Sequence, residues 1–435
     1  MLDKKRVVTL GFQHVLAMYA GAMIVPLIIG GALKLNSAQM AYLLAADMFT
    51  CGLATLLQVL GTRYVGIRLP VVLGCTFTAV GPIIAIGSRT NLPTVFGAIL
   101  AAGALVFLLA PAFGKVLRLF PTVVTGSVVT IIGLSLIPVA MNNAAGGQGS
   151  PTFGSPVNLG LAAGTLAIIL VIQRYFTGFL RSIAVLIGLI LGTLAGYALG
   201  MVNLSTVRQA SWVNLVHPLY FGAPQWNAGA VATMFVVCAV SMVESTGVYF
   251  ALGRITGREL TDRDIVGGLR AEGLAILLGG LFNTFPYTTF SQNVGLVSLT
   301  GVRSRRVVAA AGVILVLLGL LPKLAALATT IPTAVLGGAM IAMFGMVVAS
   351  GLSTLATVDL RKNENLLVVA CSIGIGLGSS VVPQMFQHLP ATLQMLCQSG
   401  IVTGSATAVI LNLFLNRAGR RSPAGSVHGR PAEVS

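Results

Sequence analysis

The chain has 435 residues, of which 56% are hydrophobic and only 8% are charged. A soluble domain carries roughly 25% charged residues, so the composition excludes a soluble protein and indicates one embedded in a membrane. A net charge of +16 would suggest a nucleic-acid partner for a soluble protein. Here the basic residues fall between apolar stretches, where they set membrane topology instead, and no nucleic-acid partner is expected.

The apolar stretches are mostly about 17–25 residues long, which suits helices that cross a hydrocarbon core of about 30 Å. They lack the alternating polarity of membrane-barrel strands. We therefore predict an all-α integral membrane protein with about fourteen spans. In chain order, the predicted spans lie near residues 8–31, 40–60, 69–87, 94–113, 122–141, 158–173, 183–200, 230–252, 270–282, 290–301, 306–322, 331–353, 365–382 and 388–415, and the last is expected to be divided at Gly400.

The distribution of basic residues tests this count. With the N-terminus in the cytoplasm and a crossing at each span, 22 of the 26 basic residues lie on the cytoplasmic side, and the others are Lys34, Arg89, Arg208 and Lys323. This asymmetry predicts an even number of spans with both termini in the cytoplasm. The polar segment 417–435 is then a cytoplasmic tail, which we expect to be disordered.

Two short matches at nearly the same offset suggest that the chain is duplicated. Residues 121–126, PTVVTG, match residues 332–337, PTAVLG, and residues 75–78, CTFT, resemble residues 288–291, TTFS. Because seven spans is an odd number, a second copy would enter the membrane upside down, as an inverted repeat. We predict a first seven-span repeat at 1–200, an external connecting loop at 201–229 and an inverted second repeat at 230–416.

Spans three and ten are predicted to be broken, each beginning with a short extended piece. The clearer case is residues 284–291, a β-branched and aromatic run that contains Pro286 and precedes a helix starting near Gln292. Non-helical backbone at membrane depth is tolerated only where it faces protein or a watery cavity. Secondary transporters place their substrates at such discontinuous helices. As symmetry mates, the two extended pieces are expected to face each other and form a substrate site.

Three of the ten acidic residues fall within predicted spans: Asp47, Glu244 and Glu272. A carboxylate at mid-membrane costs about 2.5–3.5 kcal/mol on insertion scales, so we interpret Glu244, the deepest, as functional rather than as a structural hydrogen-bonding group. Glu272 either functions or pairs with Arg270 or a loop arginine, and Asp47 either functions or acts as a packing or capping group. The sequence has no HExxH motif, nucleotide-binding loop or Ser/His/Asp set. We therefore expect neither an enzyme nor a bound metal or cofactor.

Several other polar and aromatic residues fall near the predicted site. His14 is either a packing residue or part of the site, and Phe77 and Phe290 are expected to occupy matching positions, where they either pack or stack on a flat ligand. Gln292 and Asn293 either cap a helix or read a ring that offers both N–H and C=O groups. The set suits a small planar heterocycle. A carboxylate in the membrane makes the proton the natural coupling ion.

Residues 292–301, QNVGLVSLTG, resemble the signature of the nucleobase–ascorbate transporter family, also called nucleobase–cation symporter-2. That signature is an amide or acid, then N-x-G-x-x-x-x-T and a final Arg, Lys or Gly. The pair Gln13–His14 and residues 244–247, ESTG, are also similar, and the resemblance extends over about residues 7–416. Within the family, the chain is most similar to bacterial xanthine and uric acid permeases.

The resemblance implies a core domain from spans 1–4 and 8–11, at about 8–113 and 230–322. It implies a gate domain from spans 5–7 and 12–14, at about 122–200 and 331–415, through which members often form homodimers. The implied function is import of xanthine with protons across the bacterial cytoplasmic membrane by rocking or elevator motion of the core, with uric acid as the alternative. An anion channel or exchanger on the same plan is a second class, although such sites usually lack a central acid.

For the site, the resemblance implies that Glu244 binds ring N–H groups and Gln292 binds the opposite edge. Glutamine at this second position is the choice of purine carriers, whereas uracil carriers tend to have glutamate. Phe77 would stack on the ring, and the backbone near Phe290 and Ser291 would help to hold it.

Two further positions match family residues linked to coupling and site geometry, Glu272 and His14. Thr76 stands where several xanthine carriers have Asn, which leaves uric acid open as the substrate. Val248 stands where many members have Asp or His, which shifts proton coupling onto Glu244 and Glu272.

Overall fold

The computed structural model describes residues 3–418, so nearly all of the tail predicted at 417–435 lies outside the described residues. The regular structure of the described part is helical apart from two strands of three residues, β1 Leu73–Cys75 and β2 Tyr287–Thr289. The prediction of an all-α fold with short extended pieces in its third and tenth segments is therefore confirmed.

The helices of the first half of the chain are α1 Lys4–Ala32, α2 Ser37–Leu60, α3 Val80–Arg89, α4 Leu92–Leu109, α5 Phe113–Leu117, α6 Thr122–Ala144, α7 Pro156–Tyr175, α8 Gly178–Ser182, α9 Ala184–Ala198 and α10 Ser205–Gln209. Those of the second half are α11 Ala228–Thr256, α12 Asp262–Leu281, α13 Ser291–Thr300, α14 Arg305–Gly319, α15 Pro322–Ala328, α16 Thr333–Leu355, α17 Asn363–Val381, α18 Ala391–Gln398 and α19 Gly400–Ala418. Short 3₁₀ turns cover Phe77–Ala79, Ala110–Ala112 and Pro383–Phe386.

Eight of the described helices are long and apolar enough to cross a membrane, or ten if each of two bent pairs counts as one span. The chain is thus a multi-pass membrane protein, and the count of fourteen remains a prediction. The pair α18 and α19 is bent by 83°, which confirms the predicted division at Gly400. Helix α14 matches the span predicted at 306–322, whereas α15, which is bent by 86° against it, was not predicted. A new helix starts there because Pro322 cannot continue the preceding helix.

Equivalent helices of the two halves are alike in length or in the residue type that starts them. α1 and α11 both have 29 residues, and α6 and α16 both have 23. Pro121 and Pro332 are the N-cap residues of α6 and α16, so the duplicated PT motif marks one helix start in each half. Asn36 before α2 and Thr261 before α12 both form capping boxes. The order of elements therefore repeats, as the sequence matches predict.

The two strands pair with each other, one from each half of the chain. They run antiparallel, with Gly74 opposite Thr288 at the centre. On either side of this pair, the N–H of Thr76 donates to the carbonyl of Pro286, and the N–H of Phe290 donates to the carbonyl of Val72, each at 3.0 Å. Antiparallel pairing means that the two halves run in opposite directions at this point, as an inverted repeat requires.

The strand register corrects the predicted correspondence of the two broken spans. A two-fold axis through the central pair makes Gly74 equivalent to Thr288. The sequence match instead aligns Cys75 with Thr288, one position away. Thr76 therefore corresponds to Phe290, and Phe77 corresponds to Ser291. The prediction that the two phenylalanines occupy matching positions is wrong by one position, since a short match in an apolar sequence does not fix strand register.

Candidate functional site

A cavity of about 70 Å³ lies beside the paired strands β1 and β2, which we call the strand crossing. The half-helices and helices α6, α11 and α16 enclose it. Its lining includes six of the seven residues predicted to bind substrate, and the seventh, Asn293, lies outside it. The lining residues are Cys75, Thr76, Phe77, Thr78, Val129, Ile132, Glu244, Thr288, Thr289, Phe290, Ser291, Gln292 and Val347. Glu272 and His14 also lie outside the cavity.

Glu244 lies in the middle of α11 and is partly exposed to this cavity. Within the described part of the chain, its carboxylate accepts no hydrogen bond, and the one ion pair there joins Arg258 to Asp264. Carboxylates inside proteins are normally paired or hydrogen-bonded. The side chain is therefore available as an acceptor for a ligand in the cavity, and the alternative of a structural hydrogen bond has no partner among the side chains of residues 3–416.

Gln292 is exposed at the start of α13 and lines the cavity opposite α11. The N-cap of α13, Phe290, provides no side-chain cap, so the first N–H groups of this ten-residue helix have no capping partner there. Backbone N–H groups at a helix start bind carbonyl oxygens and anions. At the other half-helix, the Thr76 hydroxyl accepts from the N–H of Thr78 at 3.2 Å, so that start is capped.

The two phenylalanines of the site differ in exposure. Phe77 is partly buried and meets Phe344 edge to face, with ring centroids 5.6 Å apart. Phe290 is 4% exposed, and an added Cβ at Gly74 or Gly21 would lie 2.3 or 2.9 Å from its ring. Phe290 is thus fixed between two glycines and forms a wall, whereas Phe77 has the freer ring for a planar ligand.

Asn293 and His14 are both buried and bind each other. The amide nitrogen Nδ2 of Asn293 donates to the backbone carbonyl of His14 at 3.0 Å and lies 3.1 Å from its ring Nδ1. Because a carbonyl only accepts and an amide NH₂ only donates, Nδ1 must be the acceptor. A neutral imidazole then carries its proton on Nε2. Asn293 therefore joins α13 to α1 beside the cavity.

Glu272 lies deeper in its helix than predicted, because α12 begins at Asp262 and not near residue 270. The expected pair with Arg270 is not formed: that guanidinium lies over the ring of Phe107, 6.0 Å from its centroid. Glu272 instead accepts a hydrogen bond from the hydroxyl of Tyr249 on α11.

Asp47 is the counterpart of Glu272, because the two acids occupy the same position relative to the capping boxes at Asn36 and Thr261. Both carboxylates are buried, and each accepts from a buried tyrosine. For Asp47 the donor is Tyr287 of β2, at 2.9 Å. Asp47 thereby anchors the strand crossing, which agrees with its interpretation as a packing group.

Sequence reasoning missed the wall that α6 and α16 contribute, namely Val129, Ile132 and Val347. These apolar residues lie in apolar helices, so no pattern distinguishes them. It also missed Ser245, whose hydroxyl lies 2.9 Å from that of Thr288 and accepts from the N–H of Thr289 at 3.3 Å. The ESTG motif was the available signal, since it places this serine beside Glu244.

The described part of the chain also contains two larger clefts. One, of about 410 Å³, lies between α1, α8, α9, α13 and α16, and it shares Phe290 and Gln292 with the cavity. The other, of about 580 Å³, lies between α3, α6 and the segment from α17 to α19, and it shares no lining residue with the cavity. Arg181 lines the first cleft and Arg89 the second. Of these two clefts, the one that contains Arg181 is thus the one continuous with the cavity.

Known proteins similar to this chain identify its family. The family model Xan_ur_permease, described as a permease family, matches residues 5–385. The chain belongs to this permease family. Among its relatives, it is 57% identical to the xanthine permease of Bacillus subtilis (strain 168) over 411 residues, covering 94% of each chain. It is 58% identical to the uric acid permease PucK of the same organism over 405 residues, covering 93% of this chain and 94% of the relative.

A third relative is the nucleobase transporter PlUacP of Paenibacillus larvae, 56% identical over 420 residues, covering 97% of the permease and 96% of the relative. Among solved structures, the transmembrane domain of the cyanobacterial bicarbonate transporter BicA matches with a TM-score of 0.62 at 16% identity. That match covers 94% of the permease and 98% of the BicA chain. At this identity the likeness shows the fold alone.

The place of Asn293 in the permease predicts a graded effect on transport. Asn293→Ala removes both contacts with His14 and loosens α13 against α1, but it removes no group from the cavity. We expect the KM for uptake to rise about ten-fold, as expected for hydrogen bonds worth about 0.5–1.5 kcal/mol each, with substantial uptake at saturation. Initial rates of uptake over a range of substrate concentrations measure this. Complete loss of uptake at normal membrane levels would show that Asn293 contacts the substrate itself.

Proposed function

We propose that this permease is a proton-coupled importer of oxidised purines, with xanthine as its first substrate and uric acid as the alternative. One observation supports this most: Glu244, whose carboxylate has no partner in the described part of the chain, and the exposed amide of Gln292 line one cavity between two half-helices. The high identity to a xanthine permease and to uric acid permeases supports a purine substrate. The nearly equal identities do not favour one purine over the other.

An oxidised purine fits this set of groups because it carries N–H donors and C=O acceptors on its edges. The carboxylate of Glu244 accepts from ring N–H groups, while the amide of Gln292 both donates and accepts. The first N–H groups of α13 bind a ring carbonyl, and Phe77 covers the face of the ring. A small inorganic anion would meet the carboxylate at short range, where like charges repel. We therefore favour a heterocycle over an anion channel or exchanger.

We propose that proton coupling depends on the carboxylates of Glu244 and Glu272, with His14 supporting the site. We also propose that both termini lie in the cytoplasm of a bacterial cell whose cytoplasmic membrane holds the protein. That orientation puts the cleft lined by Arg181 on the cytoplasmic side and the cleft lined by Arg89 outside. The cavity then adjoins the cytoplasmic cleft, as expected for the conformation that releases substrate into the cell.

We further propose the core and gate domains at the predicted boundaries, about 8–113 with 230–322 and about 122–200 with 331–415. The helix packing supports this division, since α2 packs on α14 and α4 on α12, while α6 packs on α16 and α17 on α19. The seven-span repeats at 1–200 and 230–416, joined by an external loop at 201–229, and a homodimer formed through the gate domain complete the proposal.

A competition assay tests the proposed function. Uptake of labelled xanthine is measured in cells that express the permease, with excess unlabelled urate, hypoxanthine, guanine or uracil, and with or without a protonophore. We expect urate to compete more strongly than uracil and the protonophore to stop accumulation. Equal competition by uracil would contradict a purine site, and accumulation that survives the protonophore would contradict proton coupling.

A further inference from the structure

A buried hydrogen-bonded chain lies behind the cavity and links three helices. Its members are Gln58 of α2, Tyr249 of α11 and Glu272 of α12, each at most 1% exposed. The hydroxyl of Tyr249 donates to Oε1 of Glu272, and Nε2 of Gln58 donates to the hydroxyl oxygen of Tyr249 at 2.5 Å. Gln58 and Glu272 come from opposite halves of the sequence, so no local motif indicates the contact.

Two backbone groups fix the direction of the hydrogen bonds that join Gln58, Tyr249 and Glu272. The N–H of Ile67 donates to Oε1 of Gln58 at 3.0 Å, and Nε2 of Gln58 also donates to the carbonyl of Gly268 at 3.1 Å. Because a backbone N–H only donates and a carbonyl only accepts, the amide of Gln58 cannot be flipped. It must donate to Tyr249, whose own proton is then directed to Glu272. Oε1 of Glu272 thus accepts from Tyr249, which favours Oε2 as the oxygen that carries a proton.

The other ionisable groups near Glu272 supply no second donor of comparable strength. On α11, Glu244 and the buried Cys238 interact electrostatically with Glu272, and neither donates a hydrogen bond to it in the described residues. On α12, Arg270 is turned toward Phe107 of α4, and its Nε has no partner in the described residues.

At the Gln58 end of the hydrogen-bonded chain, Arg258 pairs with Asp264 at 2.5 Å. It also donates to the carbonyl of Ile67 at 3.3 Å. Within residues 3–418, Glu272 forms no ion pair. Two hydroxyls act on this carboxylate, those of Tyr249 and Ser245, and the stronger interaction is that of Tyr249, which Gln58 orients.

We propose that Tyr249 and Gln58 are positioning residues for Glu272, which set the pH at which this carboxyl exchanges its proton during purine uptake. This inference rests on the proposed proton-coupled function. A hydrogen bond donated to a carboxylate favours its charged form. Loss of the donor makes Glu272 hold its proton up to a higher pH, whereas the cavity and its lining stay unchanged.

The test compares Tyr249→Phe with Tyr42→Phe. Both remove one hydroxyl, and in Tyr42 that hydroxyl donates to the backbone carbonyl of His217, away from the site. Initial rates of labelled xanthine uptake are measured across pH, with the amount of permease in the membrane determined in parallel. In Tyr249→Phe we expect the alkaline limb of the profile to move up by about one pH unit, as the loss of a hydrogen bond to a charged group implies. Tyr42→Phe is expected to keep the wild-type profile.

Gln58→Leu provides a second variant in case Tyr249→Phe does not fold. It leaves the tyrosine hydroxyl present but free to rotate, so we expect a smaller shift in the same direction. A purely structural role would lower the amount of permease or the maximal rate and leave the pH profile in place, and that result would overturn the inference. If wild-type uptake itself shows no pH dependence, the proposed function fails first. A normal wild-type profile with unshifted variants refutes only this inference.

Discussion

Glu244→Gln is expected to reduce xanthine uptake more than about 100-fold, because two hydrogen bonds to a charged acceptor are each worth about 1.5–3 kcal/mol. Glutamine keeps the shape of the side chain and should leave α11 intact. It replaces one acceptor oxygen with an NH₂ group that faces the N–H edge of the purine. Initial rates of uptake, normalised to the amount of permease in the membrane, measure the effect.

The matched control for this change is Glu259→Gln, which alters an exposed acid between α11 and α12. We expect its uptake to stay within about two-fold of wild type, as is usual for surface substitutions that shift stability by less than about 0.5 kcal/mol. Full uptake by Glu244→Gln would show that the carboxylate does not hold the substrate. Equal loss in both variants would point to an effect on expression or insertion.

Gly74→Val is the second change with a large expected effect. Gly74 lies at the centre of the strand crossing, where an added Cβ would lie 2.3 Å from Cε2 of Phe290 and 2.7 Å from its Cδ2. The ring cannot move away freely, since Gly21 of α1 approaches its other side. Valine should therefore displace Phe290 and the start of α13. Overpacking of this kind costs about 1–3 kcal/mol, and we expect uptake to fall at least about ten-fold.

Thermal melting of the purified protein and initial uptake rates measure the two consequences of Gly74→Val. Gly345→Ala in α16 is the control, because an added Cβ there meets no heavy atom within 4 Å. We expect this control to melt and transport like wild type. Wild-type uptake by Gly74→Val would mean that Gly74 and Phe290 are not in contact, and so would contradict the strand register.

The parts of the fold that depend on local signals were predictable from the sequence. The run at 284–291 indicated an extended piece before a half-helix, and β2 and α13 lie there, although the strand itself has only three residues. The duplicated PT motif predicted a repeat because a proline N-cap starts α6 and α16 alike. Glu244 was noticeable because a carboxylate is rare in an apolar helix, and the structure places it at the cavity.

Contacts between distant segments were not predictable in the same way. The start of α12 was placed too late because the hydropathy of its first turns is low, although the capping box of Thr261 and Asp264 was a readable signal. The network around Gln58 depends on packing between helices from the two halves of the chain, and an amide in an apolar helix does not reveal its partners. The apolar wall from α6 and α16 has no sequence signal for the same reason.

A structure of the permease with xanthine bound tests the central claim most directly, namely that the cavity at the strand crossing holds the purine. We expect the ring to lie against Phe77, with its N–H groups within about 3.2 Å of the Glu244 carboxylate, as hydrogen bonds require, and its opposite edge at the Gln292 amide. A purine bound only in one of the two larger clefts, with Glu244 not in contact with it, would contradict the claim.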